Sequence, residues 1–329
     1  MNGTVLFSSN NLARVLCEDG MVRTCAIKGK RIRTLTGLYN SLAAGDKVAI
    51  QPAEGDRGLI TELMPRSTSF GRFNEKGKAE QVIAANVDIA VCVTSVQAPP
   101  FRPRFVDRVS ILAVQSGIPL IVVLNKTDLG IDDATEQRLG MYAHVGFHVV
   151  RTSAANGEGI EELAAALQHR TAVFVGQSGA GKSSIINLLL PEANRRVGEV
   201  SEKFNRGRHT TTLAELLIAN QGTMAIIDTP GFRRLAIRGI EPQDLHGYFP
   251  EFEALISHCA FGASCTHTIE EGCAVRDAVE SGAIHHDRYE SYLRIREELE
   301  GIAHWMRGTQ SYQRARRSGS CIEDDAWEW

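Results

Sequence analysis

A chain of 329 residues, 43% hydrophobic and 23% charged, has the apolar content for two or three packed domains and the charge of an ordinary globular protein. Its formal net charge of -3 gives no bulk sign of a nucleic-acid binder, and leaves room for a local basic face. No apolar run is long enough to cross a bilayer, and the opening MNGTVLFSSNN lacks the pattern of a secretion signal, so a cytoplasmic protein is expected; a monomer is expected as well. The seven cysteines, an odd number in a chain without an export signal, are not expected to form disulfides.

Residues 1–65 read as short strands at 4–7, 13–17, 21–27, 47–51 and 58–63, separated by turn segments such as Glu18-Asp19-Gly20 and Ala44-Gly45-Asp46. Five short strands in so small a segment suggest a β-barrel of OB type. Arg14, Arg23, Lys28, Lys30, Arg31 and Arg33 enrich it in positive charge, as a single-strand-binding face would require. Residues 66–85 are polar, basic and glycine-containing and read as a linker. From 86 to 237, apolar runs at 87–93, 119–124, 147–150, 172–175, 213–219 and 224–227 alternate with helical spacing at 105–115, 134–144, 160–167 and 183–190. Strands that are apolar throughout, set between helices, indicate a largely parallel sheet covered on both faces. Residues 238–329 read as a mostly helical domain, with Arg307, Arg314, Arg316 and Arg317 as a second basic surface and an acidic tail, CIEDDAWEW.

Residues 176–183, GQSGAGKS, form a phosphate loop between an apolar strand and an amphipathic helix. Backbone N–H groups of such a loop face phosphates, Lys182 reaches the β- and γ-phosphates, and the Ser183 hydroxyl suits Mg²⁺. The base is named elsewhere. Residues 125–128 are NKTD after an apolar strand. The Asp128 carboxylate can accept both donors on the Watson–Crick edge of guanine, a pair that adenine lacks. Asn125 suits tying the loop and contacting the base, and the Lys126 stem suits packing on the purine face. Thr152-Ser153-Ala154 follow the next strand and can offer a backbone N–H to guanine O6. Residues 228–231, DTPG, end another strand. They give Asp228 for Mg²⁺ and a Gly231 N–H for the γ-phosphate.

A switch loop, NRGRHTTT at 205–212, offers Thr210, Thr211 and Thr212 for Mg²⁺, with Thr211 the preferred choice. Phe232 stands where many GTPases carry a water-orienting glutamine, so intrinsic hydrolysis should be slow. His209 is the nearest group able to orient the attacking water. The expected GTP site is thus Asn125, Lys126, Asp128, Ser153, Ala154, Gly176, Gln177, Ser178, Gly179, Ala180, Gly181, Lys182, Ser183, Ser184, Asp228 and Gly231. Lys182, Thr211 and His209 are the expected catalytic groups.

Cys259, Cys265, His267 and Cys273 have the spacing of a closed, structural zinc site, with His258 an alternative first ligand. The guanine motifs precede the phosphate loop, which reverses the ordinary order. Ligand-bearing loops all leave the carboxyl ends of strands, so chain order can be permuted without moving the site. With EQVIAANVD (80–88), FVDRV (105–109), VLNKTDL (123–129), VGQSGAGKSSIIN (175–187), GRHTTT (207–212), IDTPGF (227–232) and HCAFGASCTHTIEEGCAV (258–275), the chain resembles the RsgA family of circularly permuted GTPases over nearly its whole length. The resemblance implies an N-terminal OB barrel, a central GTPase domain and a C-terminal zinc domain. It also implies contact with rRNA and a late step in small ribosomal subunit maturation, with hydrolysis stimulated by that subunit. A GTP-gated RNA-binding scaffold with incidental turnover is the alternative reading.

Overall fold

The computed structural model describes residues 1–9, 12–27, 42–74, 79–192, 214–219, 222–232 and 235–317, with side chains through 302. The chain divides into two compact units, residues 1–237 and 238–329.

The first unit begins with strands β1 (Asn2–Ser9), β2 (Leu12–Cys17), β3 (Val22–Ile27), β4 (Lys47–Pro52) and β5 (Arg57–Leu63). They close into a barrel in the order β1-β2-β3-β5-β4, with β3 and β5 parallel and the other pairs antiparallel. Period-two alternation sends Val5, Val15, Cys25, Val48 and Ile60 to the interior, where each is fully buried. Arg23 departs from the basic face expected of it. It is 7% exposed and paired with Asp19 at 2.7 Å, so its charge is committed inside the barrel unit. Lys28, Lys30, Arg31 and Arg33 lie outside the described residues.

The segment read as a linker holds a second correction. Residues 66–85 carry β6 (Ser69–Asn74) and β7 (Ala79–Ala85), an antiparallel pair. Its polar composition hides a buried set, because Phe70, Val82, Ala84 and Ala85 are all 3% exposed or less. The pair is held by its neighbours rather than by a core of its own. Ala85 N–H donates to Ala44 O (2.9 Å), Asn86 Nδ2 donates to Gly45 O (3.0 Å), and Arg66 grips the fully buried Asp46 through Nε and Nη2 at 2.7 and 2.8 Å.

The six-stranded sheet runs β10 (His148–Arg151), β9 (Leu120–Asn125), β8 (Ile89–Ser95), β11 (Thr171–Gly176), β13 (Ala225–Asp228), β12 (Glu215–Ile218). The first five are parallel and β12 is antiparallel at the edge. Every residue of β8 and β9 is buried, as strands covered on both faces require. Helices α1 (Pro103–Gln115), α2 (Asp133–His144), α3 (Ile160–Leu167) and α4 (Lys182–Leu189) connect the strands. Proline opens α1, and the Asp132 side chain caps α2 by accepting from Thr135 N–H at 2.7 Å. A buried cluster bolts α1 to α2, with Arg138 Nη2 and Tyr142 Oη donating to Asp107 at 2.9 and 2.6 Å.

The second unit contains α5 (Pro250–Ile256), α6 (Ala274–Glu280) and the long α7 (His286–Arg317), with one 3₁₀ segment (Pro242–Tyr248) before α5 and a short 3₁₀ turn (Gly262–Ser264) between α5 and α6. Its aromatic core is Phe249, Phe252 and Tyr292, all fully buried. Arg288 pairs with Glu251 at 2.6 Å and lies over the Phe249 ring at 4.4 Å. No described helix is long and apolar enough to cross a membrane.

Candidate GTP-binding site and metal cluster

The motif residues that the structure describes converge on one edge of the sheet, at the carboxyl ends of β9, β10, β11 and β13. The phosphate loop runs from the end of β11 into α4. Gly181 has φ +95°, and a Cβ there would stand 2.1 Å from Asn125 Nδ2. Glycine is therefore required by both backbone conformation and the close approach of the neighbouring loop. Lys182 is 7% exposed, and its Nζ donates to the carbonyls of Gly176 (3.3 Å) and Gln177 (3.5 Å). Burial lowers its pKa, an effect that the nearby Asp228 opposes. Ser183 and Ser184 are exposed on the first turn of α4, and Ser178 and Gly179 are exposed on the loop.

Asn125 joins the base motifs to this loop. Its Nδ2 donates to Ala180 O (3.0 Å), while its Oδ1 accepts from Ala154 N–H (3.1 Å) and Thr152 Oγ1 (3.3 Å). Ser153 Oγ donates to Asp128 Oδ1 at 2.5 Å, so the two guanine motifs meet directly. Thr127 Oγ1 and N–H both donate to Thr152 O, at 3.1 and 3.2 Å. Lys126 takes a left-handed conformation, φ 65°, and its Nζ donates to Gln97 O (3.1 Å) and to Ala98 O. These carbonyls follow β8 in a turn that no sequence motif marks, and they fix where the Lys126 stem runs.

Asp228 ends β13. Burial pushes its carboxyl up to about 6, with Lys182 pulling the other way. Its Oδ1 is buried and has no hydrogen-bond partner among the described residues. An orphaned buried carboxylate oxygen beside the phosphate loop fits a divalent cation such as Mg²⁺, with Ser183 able to hold it from α4. Thr229 Oγ1 donates to Phe174 O (2.6 Å) and Phe232 N–H to Gly176 O (3.0 Å), which fastens the DTPG loop across the phosphate-loop strand. Phe232 is 4% exposed, turned into the protein under Arg72 of β6. Arg72 is the side chain here that sequence reasoning missed, because it lies in the stretch read as linker. Thr211 and His209, with Thr210 and Thr212, lie outside the described residues.

In the second unit, Cys259, Cys265, His267 and Cys273 place their ligand atoms within 4.8 Å of one another, all buried. His267 Nδ1 lies 3.4 Å from Cys273 Sγ and 3.7 Å from Cys259 Sγ. Tetrahedral coordination with metal–sulfur bonds of about 2.3 Å sets ligand atoms roughly 3.5–4 Å apart, so the donor set fits a metal ion. Burial, then His246, lowers the His267 pKa to about 4, which leaves the imidazole neutral and able to ligate. His258 is exposed, with its ring against Ala254 O, and it is Cys259 that joins the cluster. The ligand turn is itself anchored. Glu270 accepts from the N–H groups of Thr266 (2.7 Å) and Thr268 (2.9 Å), while Tyr289 and Tyr292 hydroxyls donate to His267 O and Thr266 O at 2.7 and 2.8 Å.

A family model described as RsgA GTPase matches residues 63–238. The small ribosomal subunit biogenesis GTPase RsgA of Chlorobaculum tepidum is 39% identical over 284 residues, which cover 82% of this chain and 91% of that protein. The protein of the same name from Gemmatimonas aurantiaca is 36% identical over 302 residues, 91% of this chain and 97% of that one. Among solved structures, YjeQ from Thermotoga maritima superposes with a TM-score of 0.69 at 30% identity, covering 91% of this chain and 98% of that chain. YloQ, a circularly permuted GTPase, gives 0.66 at 28% identity, covering 92% and 95%. With its nucleotide motifs in permuted order on one sheet edge, the chain belongs to the RsgA family of GTPases.

Proposed function

We propose that this GTPase acts in the cytoplasm, as a monomer, in maturation of the small ribosomal subunit, with bound GTP held by the residues gathered on the sheet edge. The observation that carries the site assignment is the direct Asp128–Ser153 contact, tied through Asn125 to the phosphate loop. The partner comes from the relatives' name, small ribosomal subunit biogenesis GTPase.

In this reading Asp128 accepts from guanine N1–H and its exocyclic amine, the Ala154 N–H is shared between Asn125 Oδ1 and guanine O6, and Lys126 covers the purine. The N–H groups of Gln177, Ser178, Gly179, Ala180 and Gly181 cradle the phosphates, and Lys182 leaves its carbonyl partners for the β- and γ-phosphate oxygens. Mg²⁺, held by Ser183, Asp228 and a switch threonine (Thr211), neutralises phosphate charge when bound. The Gly231 N–H meets the γ-phosphate. Phe232 has no group able to polarise water, so His209 or a group from the subunit orients the attacking water. Contact with rRNA would run through Arg14 and through Lys28, Lys30, Arg31 and Arg33 of the N-terminal segment, and through Arg307, Arg314, Arg316 and Arg317. Zinc is the metal assigned to the cluster, because three thiolates and one imidazole close its tetrahedral shell and leave no position for chemistry.

Asp128→Asn should weaken GTP and favour xanthosine triphosphate, whose O2 acceptor suits an amide donor. Competition binding checks this, and equal affinity of the native protein for GTP and ATP would remove Asp128 from the role. Elemental analysis of untagged protein should find one zinc per chain, and chelation should unfold residues 238–329 before the first unit, since metal binding here is coupled to folding. Protein free of zinc with an intact second unit contradicts the assignment. The partner is tested by turnover. GTP hydrolysis should rise steeply with small-subunit concentration and be indifferent to large subunits. A rate unchanged by small subunits would favour the scaffold reading, to which the buried, non-polar Phe232 lends its support.

A further inference from the structure

We propose that Arg72 is a positioning residue for hydrolysis, clasping the Phe232 ring and so setting where the Gly231 backbone stands against the phosphate loop. The proposal rests on the assignment of residues 228–231 as the phosphate-sensing loop. Arg72 projects from β6 with its Cζ 5.0 Å from the Phe232 ring centroid. A guanidinium over an aromatic face is held most firmly when both are withdrawn from water. Phe232 is 4% exposed and Arg72 is half-buried, with a buried Nε that has no hydrogen-bond acceptor among the described residues. Burial also lowers the Arg72 pKa, the mark of a cation drawn from water.

What the ring holds is the phosphate-facing backbone. Phe232 N–H donates to Gly176 O at 3.0 Å, and Gly231 approaches the phosphate loop so closely that a Cβ on it would lie 2.8 Å from Ser178 Cα and N. Shifting the ring therefore shifts the Gly231 N–H against the loop that takes the phosphates. Beyond the ring, Arg108 of α1 donates from Nη1 to Leu235 O at 2.9 Å. The chain leaving the DTPG loop is thus gripped at 232 from β6 and at 235 from α1. Strand β6 pairs with β7, whose end is stitched to the barrel turn through Ala85 N–H to Ala44 O. Arg72 thus links a strand fastened to the barrel with the phosphate-sensing loop. Phe232 replaces a water-orienting side chain with a handle, and Arg72 holds it.

The test uses full-length protein, with and without small ribosomal subunits, and compares Arg72→Ala, Arg72→Lys, Phe232→Leu and the double variant Arg72→Ala/Phe232→Leu. Single-turnover hydrolysis at saturating GTP is read beside affinities for GDP and a non-hydrolysable GTP analogue. Arg72→Ala should slow the saturating rate about fivefold to tenfold, between the scales of an exposed and a fully desolvated cation–π contact as suits a half-buried guanidinium, with GDP affinity kept within about twofold. Arg72→Lys should recover part of the rate, since an ammonium can sit over the ring. The double variant should be no slower than the slower single variant, because both remove one contact. A native rate in Arg72→Ala, additive losses in the double variant, or equal loss of GDP and GTP affinity at an unchanged rate would each overturn the proposal. Where Arg72→Ala fails to fold, Arg72→Lys and Arg72→Gln carry the same comparison. Asp228→Asn separates the two layers. A native rate there removes the loop from the site and takes the clasp with it, whereas failure of the Arg72 variants alone leaves the loop in place.

Discussion

The amide of Asn125 is the interaction on which the nucleotide site depends. One side chain donates to the Ala180 carbonyl in the phosphate loop and accepts from the Ala154 N–H in the guanine loop. Three loops from β9, β10 and β11 thereby become one rigid edge. Asn125 is 1% exposed, so removing its amide would take a partner from the Ala180 carbonyl, the Ala154 N–H and the Thr152 hydroxyl, at about 1–3 kcal/mol for each group left unsatisfied. Gly181 exists for the same contact, because any side chain there would collide with the Asn125 amide. This cross-link also explains how permuted chain order is compatible with an ordinary site. The geometry depends on which strand ends lie side by side and on what crosses between them, and neither is altered by where the chain is cut.

The two charges at the phosphate end show the same economy. Lys182 and Asp228 are both withdrawn from water, and burial displaces each from its ordinary pKa toward the neutral form, while each opposes the shift of the other. A buried cation resting on loop carbonyls and a buried carboxylate oxygen without a partner among the described residues suit the phosphate and divalent cation proposed for this edge. The Cys/His cluster of the second unit, which could hold a metal ion, is arranged differently. Its ligands sit on a turn pinned by Glu270 and two tyrosine hydroxyls, so donor positions are set by hydrogen bonds to the backbone on either side of His267.

Much of this was legible in the sequence because the signals were dense. The apolar runs that became β8 and β9 are buried at every position, and period-two alternation in the first 65 residues gives a closed barrel. The motifs fall where strands end, and the cysteine spacing brings four ligand atoms together. What escaped is what depends on neighbours. β6 has apolar side chains only at Phe70 and Phe73, and the apolar run of β7, residues 82–85, is short and follows a polar start, so the pair does not announce itself; it is ordered by Arg66–Asp46 and by backbone bonds to the barrel turn. Arg23 counts as basic surface in a composition but is neutralised by Asp19, four residues earlier. Phe232 reads as a missing glutamine, and only the fold shows that its ring is turned inward beneath Arg72.

The central claim, that the guanine and phosphate loops form one unit through Asn125, is tested most directly by amide hydrogen exchange on Asn125→Ala. If the amide cross-links the loops, exchange should quicken in the segment 152–158 and equally in the phosphate loop 176–184, more than fifty residues away along the chain. Faster exchange confined to residues 125–130, with the phosphate loop protected as in the native protein, would contradict it.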